Sequence, residues 1–210
     1  MQQTTKFWDG IAEKYAKRPI SDMAAYEYTL GRTRSYLGPE DQVLELGCGT
    51  GSTALSLADA VAQYTASDIS GSMIAVGRGK AEAQNADTLN FVQAGVSEVP
   101  TGRYDAVLAF NLLHLIEDLD GALSHIHTLL KPGGLLISKS FCRPQGGASW
   151  SYRLMRLILP LAQMLGKAPY VAFMSIAELE AAMTRAGFDI IETGNYPANP
   201  PNRYLVARRR

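Results

Sequence analysis

The stretch VLELGCGTG, residues 43–51, places three glycines two residues apart directly after an apolar run. Glycine lacks a Cβ atom and tolerates positive φ, so such a loop can turn tightly and let a ligand lie against bare backbone. The spacing is GxGxG rather than the GxGxxG of dinucleotide-binding proteins. Glu45 precedes the first glycine by two residues, and its carboxylate would repel a pyrophosphate and attract a cation. The loop therefore favours a cationic ligand over NAD, and an NAD-dependent oxidoreductase is the less favoured alternative.

A second carboxylate, Asp68, follows Gly47 by 21 residues in the stretch ASDIS. A carboxylate at the tip of a second parallel strand can accept hydrogen bonds from both hydroxyls of an adenosine ribose. By itself Asp68 is equally typical of a helix N-cap. Together with the glycine loop, it predicts an adenosine-type cofactor.

A parallel sheet is needed to bring these residues together. From residue 42 onward, apolar runs of strand length alternate with amphipathic stretches of helix length. This alternation predicts an α/β fold with a Rossmann-like, doubly wound, mostly parallel sheet of seven strands. The predicted strands are 42–46, 63–68, 88–93, 104–110, 134–141, 188–194 and 203–208. The predicted helices between them are 51–60, 72–84, 119–130 and 175–186.

The two ends of the chain depart from this alternation. Only residues 195–203 separate the last two strands, too few for a crossover helix, so we expect an antiparallel final hairpin with a turn at NPPN, residues 199–202. Residues 5–17 and 22–37 predict two helices that cap the sheet. We expect one domain over 1–210, with a helical cap at 1–40, a cofactor-binding core at 41–142, a helical insert or lid at 143–174, and a final helix and β-hairpin at 175–210.

The insert, residues 143–174, is the one locally basic and strongly apolar region. We expect Pro160 to kink or divide its helix. Such a segment suits an apolar or amphiphilic ligand with an acidic group, and also an anionic membrane surface. Packing in the core or in a homodimer interface is an equally good interpretation. From Gly121 to Ala177 there is no acidic residue, and the basic residues are Lys131, Lys139, Arg143, Arg153, Arg156 and Lys167.

Composition narrows the class of protein further. The 210 residues carry 20 basic and 20 acidic side chains, so no overall charge favours a nucleic-acid partner. The sequence contains no apolar run long enough to span a membrane, and its first residues do not resemble a signal peptide. The two cysteines, Cys48 and Cys142, indicate a reducing compartment, so we expect a cytoplasmic monomer or homodimer. His125 and His127 point to different helix faces, and we expect no metal site.

Four motifs carry a resemblance to a known family. VLELGCGTG, ASDISGSMI, YDAVLAFNLLHLIED and LLKPGGLLISKSF occur in this order, after an opening FWDGIAEKYAKRPI. The chain resembles class I S-adenosylmethionine-dependent methyltransferases, most of all the small single-domain type of ubiquinone and menaquinone biosynthesis. The resemblance implies in-line transfer of a methyl group from S-adenosylmethionine to a small, apolar or amphiphilic acceptor. A protein that binds S-adenosylmethionine without turnover is the alternative.

The resemblance also assigns residues to the cofactor. It implies that Gly47, Cys48, Gly49 and Gly51 border the amino-acid end of the cofactor, with Glu45 near its ammonium group. This assignment agrees with the attraction of the Glu45 carboxylate for a cation.

Further assignments follow the same motifs. The resemblance implies that Asp68 binds the ribose hydroxyls and that Ile69 and Met73 flank the adenine. It places Asn111 and Leu112, at the end of the fourth strand, beside the methionine portion of the cofactor.

The resemblance leaves two points open. Tyr15 of the cap should close over the cofactor, and Tyr15, His114 and Tyr170 are candidates for a general base if the acceptor needs one. Many relatives carry an aspartate that meets the adenine amino group where this chain has Gly95. We therefore expect adenine recognition by backbone near Gly95 and Val96, or by Glu98 reaching back.

Overall fold

The apolar runs of the sequence form the strands of one sheet. The computed structural model describes residues 2–144 and 150–210. Within these residues the sheet has seven strands in the order β3-β2-β1-β4-β5-β7-β6, and only β7 runs antiparallel to its neighbours. The predicted fold class is thereby confirmed. The strands are β1 (Gln42–Leu46), β2 (Gln63–Asp68), β3 (Leu89–Gln93), β4 (Tyr104–Phe110), β5 (Leu130–Phe141), β6 (Phe188–Asn195) and β7 (Asn202–Arg209).

Short polar side chains mark where several helices begin. The side chains of Asp22, Ser70 and Asp118 each accept a hydrogen bond from a backbone N–H of the first turn, and Ser175 forms a reciprocal capping box with Glu178. The described helices are α1 (Gln2–Ala16), α2 (Met23–Arg34), α3 (Ser52–Leu57), α4 (Gly71–Gln84), α5 (Leu119–Leu129), α6 (Trp150–Met164) and α7 (Ile176–Arg185).

Two apolar cores lie on the two faces of the sheet. On one face, α5 and α7 bury residues such as Ile126 and Met183 against Leu136 of β5. On the other face, α3 and α4 bury Leu57 and Ile74 against β1 and β2. Both faces of the parallel strands are therefore covered, which explains their continuous apolar runs.

Three details differ from the sequence-based expectations. The helix α6 continues through Pro160, so the proline does not divide it. In the final hairpin only β6 lies at the edge of the sheet, because β7 pairs with both β5 and β6. The strand β5 begins at Leu130, opposite Tyr104, with a register shift before the main pairing.

No described helix combines the length and the apolar character that a membrane span requires. The division into cap, core and insert stays a prediction.

Candidate functional site

The carboxyl ends of β1 and β4 lie side by side where the strand order reverses, and a cavity of about 640 Å³ opens there. This switch point is the usual ligand site of an open α/β sheet. Its walls come from the ends of four parallel strands and from α1 and α5. Ten of the predicted site residues line it: Tyr15, Gly47, Gly49, Asp68, Ile69, Met73, Gly95, Val96, Asn111 and Leu112.

The glycine loop forms a bare wall of this cavity. Gly47 has a φ of 65°, and a Cβ atom there would come within 2.8 Å of Leu112 Cδ1. Gly49 has a φ of 54°, and a Cβ atom there would contact Tyr15 Cε1 at 3.7 Å. Both the backbone conformation and the space therefore require glycine at position 47, and the Tyr15 ring lies over the loop. Gly51 packs on Phe91 at the start of α3 and does not line the cavity.

Asp68 joins the glycine loop to the start of α4. Its Oδ2 accepts a hydrogen bond from the Gly49 N–H at 2.9 Å, and its Oδ1 accepts one from the Ser70 N–H at 2.9 Å. Burial raises the pKa of Asp68, and the two backbone N–H groups oppose that shift. Each carboxylate oxygen keeps a further lone pair, so Asp68 can also accept hydrogen bonds from two ligand hydroxyls.

A contact that sequence reasoning missed ties the cap helix to this network. Asp9 of α1 accepts hydrogen bonds from Ser70 Oγ at 2.6 Å and from the Ser72 N–H at 3.1 Å. The hydrogen bond from Ser70 lowers the pKa of Asp9 most, and the hydrogen bond from Ser72 lowers it further. Asp9 therefore holds α1 against the first turn of α4, next to Trp8, which lines the cavity. A single acidic residue in a surface helix gave no signal of this role.

Glu45 and Cys48 lie behind the glycine loop rather than in the cavity wall. Glu45 is 2% exposed and accepts a hydrogen bond from the Tyr64 hydroxyl at 2.9 Å. Burial raises the pKa of Glu45 to about 7, although the Tyr64 bond opposes this. Burial likewise raises the pKa of the Cys48 thiol. The proposed attraction of Glu45 for a cation therefore depends on ionisation near neutral pH.

At the far end of the cavity lie the residues that follow β3. Gly95 and Val96 line the wall. The Gly95 N–H donates a hydrogen bond to Glu98 Oε2 at 3.1 Å. Glu98 thus reaches back to the Gly95 backbone, and recognition of adenine by Glu98 or by backbone near Gly95 and Val96 stays a prediction.

At the end of β4, a second missed contact fixes Asn111. This residue has a φ of 55°, and its N–H donates to the Lys139 carbonyl at 2.6 Å. Its Oδ1 accepts a hydrogen bond from Asn202 Nδ2 at 3.2 Å. Asn202 is the last residue of the NPPN stretch and the first residue of β7, directly after the turn between β6 and β7. The final hairpin therefore holds the Asn111 side chain of the cavity wall in place through this hydrogen bond.

Of the three candidate bases, only Tyr15 lines the cavity. Burial raises the pKa of Tyr15, with Arg18 opposing and Asp68 adding to the shift, so its hydroxyl stays protonated near neutral pH. Burial lowers the pKa of His114 to about 4, and its buried Nδ1 has no hydrogen-bond partner among the described residues. Tyr170 is half-exposed, outside the wall. Their catalytic roles stay predictions.

A family model for the methyltransferase domain matches residues 12–193. The chain belongs to the methyltransferase domain family. The predicted resemblance to class I S-adenosylmethionine-dependent methyltransferases is thereby confirmed, together with the enzyme class and the cofactor at the level of the family.

Individual relatives show how far the likeness extends. The methyltransferase is 30% identical over 131 residues to the demethylmenaquinone methyltransferase of Tropheryma whipplei, covering 61% of this chain and 54% of that protein. It is 29% identical over 149 residues to a highly reducing polyketide synthase of Purpureocillium lilacinum, covering 64% of this chain. The chain spans only 6% of that synthase.

A solved structure shows the same fold. The magnesium protoporphyrin IX methyltransferase of Synechocystis PCC 6803, crystallised with bound SAH, superposes with a TM-score of 0.73 at 22% identity. The superposition covers 99% of this chain and 96% of that one. The residues of the methyltransferase fit an adenosyl cofactor, because Asp68 retains free acceptor capacity and the glycine loop leaves bare backbone beside it.

Proposed function

We propose that this domain transfers a methyl group from S-adenosylmethionine to a small lipophilic acceptor. The observation that carries the proposal is the composition of the cavity at the switch point. One part of it joins the glycine loop to Asp68, and the part at the end of β4 has the apolar side chains of Phe110, Leu112 and Leu115. The first arrangement suits a nucleoside, and the second suits an apolar acceptor.

Positioning and exclusion of water are the main tasks of the protein in this reaction. The bound sulfonium supplies the methyl group together with a neutral leaving group that needs no acid. Asp68 orients the ribose, the 47–51 loop borders the amino-acid end, and Tyr15 covers the loop. Asn111, held by Lys139 and Asn202, fixes the wall beside the reacting atoms.

A general base is required only for an acceptor that arrives protonated. We assign Tyr15 to closure over the cofactor, because its raised pKa keeps the hydroxyl protonated. His114 is the candidate base, since its low pKa leaves the imidazole neutral near pH 7. Its ring packs edge-on against Phe141 outside the cavity lining, so it would have to move to reach the acceptor.

The relatives support a lipophilic acceptor. One carries demethylmenaquinone in its name, and another is a polyketide synthase. An enolic or phenolic carbon or oxygen on an apolar molecule is the acceptor chemistry common to both names. We extend this acceptor class to the present chain.

The outer face of α6 supports docking on an anionic membrane. Its apolar side chains recur at helical spacing and face solvent, with Leu157 78% exposed and Met164 82% exposed. Arg156 and Lys167 lie on the same acid-free segment, and the Arg153 side chain lies outside the described residues. An apolar stripe with basic neighbours matches an interfacial helix. The stripe is formed by Trp150, Leu154, Leu157, Ile158, Leu161, Met164 and Leu165.

Backbone hydrogen bonds join the segments on either side of α6 to each other and to the residues that follow β4. The Ala172 N–H, in the segment that returns from α6, donates to the His114 carbonyl at 2.7 Å. The Arg143 N–H donates to the Met174 carbonyl at 2.7 Å on the other side of the insert. We propose that a lipophilic acceptor passes from the membrane along this segment to the end of β4, in a cytoplasmic, monomeric enzyme.

The test uses labelled S-adenosylmethionine and an acceptor panel of quinols, phenols, thiols and amines, with anionic or zwitterionic vesicles. We expect label in a lipophilic quinol or phenol, and faster transfer with anionic vesicles. Binding of S-adenosylmethionine without transfer to any acceptor would favour the non-catalytic alternative, and binding of NAD would favour the oxidoreductase. A dimer in solution whose α6 faces are covered would replace the membrane proposal.

A further inference from the structure

A second cavity meets the first at the end of β3. It has a volume of about 530 Å³, and it shares Ile69, Ala94 and Gly95 with the main cavity. Its other walls are polar side chains of α1, of the last residue of β3 and of the segment that follows β3. These are Thr5, Lys6, Gln93 and Glu98.

The order of the strands determines which part of the cofactor faces this junction. Asp68, at the end of β2, is the ribose site of the proposed function, and β3 is the next strand outward in the sheet. The base must therefore extend from the ribose toward residues 94–96. The 6-amino group of a purine lies on the ring farthest from the sugar, so this amino group faces the junction.

Gly95 leaves the junction open. A Cβ atom at this position would lie 3.3 Å from Glu98 Oε2, so any larger side chain would have to displace Glu98 or fill the passage. The Glu98 carboxylate is held there by the Gly95 N–H at 3.1 Å. The second cavity is thus connected to the adenine end through the space that a side chain would occupy.

We propose that Gly95 makes the second cavity a subsite for a substituent on the 6-amino group of the adenine. The inference rests on the proposed function, because the cofactor must place its base at residues 94–96. The polar lining selects a short polar substituent that can hydrogen-bond to Gln93 and Glu98. Gly95 is then a specificity-determining residue, because it lets the site accept a cofactor with a substituent on the 6-amino group as well as the unsubstituted one.

Calorimetry with two ligands tests this subsite without any acceptor. The ligands are S-adenosylhomocysteine and its N6-(2-hydroxyethyl) derivative, and the proteins are the wild type, Gly95→Asp and Gly79→Asp. Gly79 is an exposed α4 glycine with nothing within 4 Å of an added Cβ, which makes it the matched control. We expect the wild type to bind both ligands with Kd values within about threefold, because the substituent enters existing space. The ratio of the two Kd values should rise at least tenfold in G95D and stay constant in G79D.

The two ligands separate failure of the subsite from failure of the proposed function. If S-adenosylhomocysteine binds the wild type and the substituted ligand binds more than thirtyfold more weakly, the subsite is wrong. An unchanged ratio of the two Kd values in G95D would show that Gly95 does not determine whether the substituted ligand binds. If neither ligand binds the wild type, the proposed cofactor is wrong instead. The wild-type comparison decides the subsite even if G95D does not fold.

Discussion

The cofactor side and the acceptor side of the cavity differ in how their polar groups are satisfied. At the ends of β1 and β2, Asp68 bonds to Gly49 and Ser70, and Asp9 bonds to the same first turn of α4. The buried side-chain nitrogen and oxygen atoms that lack a partner, within the described residues, all lie on α5 or on the β4–β7 half. They belong to His114, His125, Ser138, Ser140, Asn202 and Arg209.

This difference indicates where ligand identity is fixed. On the cofactor side, Asp68 and Asp9 are already held by hydrogen bonds to Gly49, Ser70 and Ser72 before any ligand binds, so this side is organised for one ligand. Of the six described residues with an unpartnered buried side-chain atom, only His125 lines the main cavity, and the apolar stripe of α6 is exposed, so selectivity on the acceptor side depends on the acceptor and on what covers α6. The following variants test this contrast, from the largest expected effect to the smallest.

Asp68→Ala should abolish the organisation of the cofactor side. We expect the Kd for S-adenosylhomocysteine to rise at least about 100-fold, because two hydrogen bonds to a charged acceptor are lost. Calorimetry measures the change. Asp59→Ala is the control, since Asp59 is an exposed carboxylate that pairs with Arg34 away from the cavity lining. A loss below tenfold for D68A would mean that the cofactor side is not organised around this carboxylate.

Glu45→Gln should show that burial of the ionised Glu45 carboxylate destabilises the folded protein. The pKa of Glu45 is raised to about 7 in the fold, so the folded protein holds this proton more tightly than the unfolded chain. The wild type should therefore lose stability relative to E45Q as pH rises from about 4.5 to 7, by up to about 3 kcal/mol. Urea unfolding at pH 5 and pH 8 measures the difference. An equal stability gap at both pH values would contradict the burial cost.

Leu157→Glu tests the acceptor side. Placing a charge in the middle of the apolar stripe should weaken binding to anionic vesicles about 30-fold, since a buried leucine contributes roughly 2 kcal/mol. Binding of S-adenosylhomocysteine should be unchanged. Ile191→Glu, at a half-exposed apolar residue of β6, is the matched control. Equal vesicle binding by both variants would leave α6 without a membrane role.

Asp9→Ala should loosen the cap helix without replacing any residue that lines the cavity. We expect the Kd for S-adenosylhomocysteine to rise about tenfold, because α1 loses two hydrogen bonds that hold it over the site. In a Trp150→Phe background Trp8 is the only tryptophan, so acrylamide quenching reports opening of α1. Glu13→Ala, an exposed change on the same helix, is the control. Unchanged quenching in D9A would mean that Asp9 does not hold the cap.

Local sequence patterns were sufficient to predict the main strands of the sheet and the position of the cavity. The predicted strands 42–46, 63–68 and 104–110 match β1, β2 and β4 residue for residue. Buried parallel strands carry their signal in consecutive apolar residues, and the glycine spacing marks the turn after β1. The position of the cavity then follows, because the carboxyl ends of neighbouring parallel strands meet at one edge.

The two residues that brace the cavity were not predictable in this way. Asp9 contacts Ser70 across 61 positions of the chain, and Asn202 contacts Asn111 across 91. Neither residue stands in a pattern that distinguishes it from other surface polar residues. Such pairs depend on how α1 and the final hairpin pack, which local periodicity does not encode.

The sequence by itself determined the order of elements, the glycine loop and the position of the Asp68 carboxylate at the end of β2, because each depends on residue types within one short segment. Only the tertiary structure decided that Glu45 and Cys48 lie behind the wall, that α6 exposes its apolar stripe, and that Gly95 joins two cavities. These outcomes depend on which surfaces pack against one another. Long-range packing sets burial and the pKa shifts that follow from it.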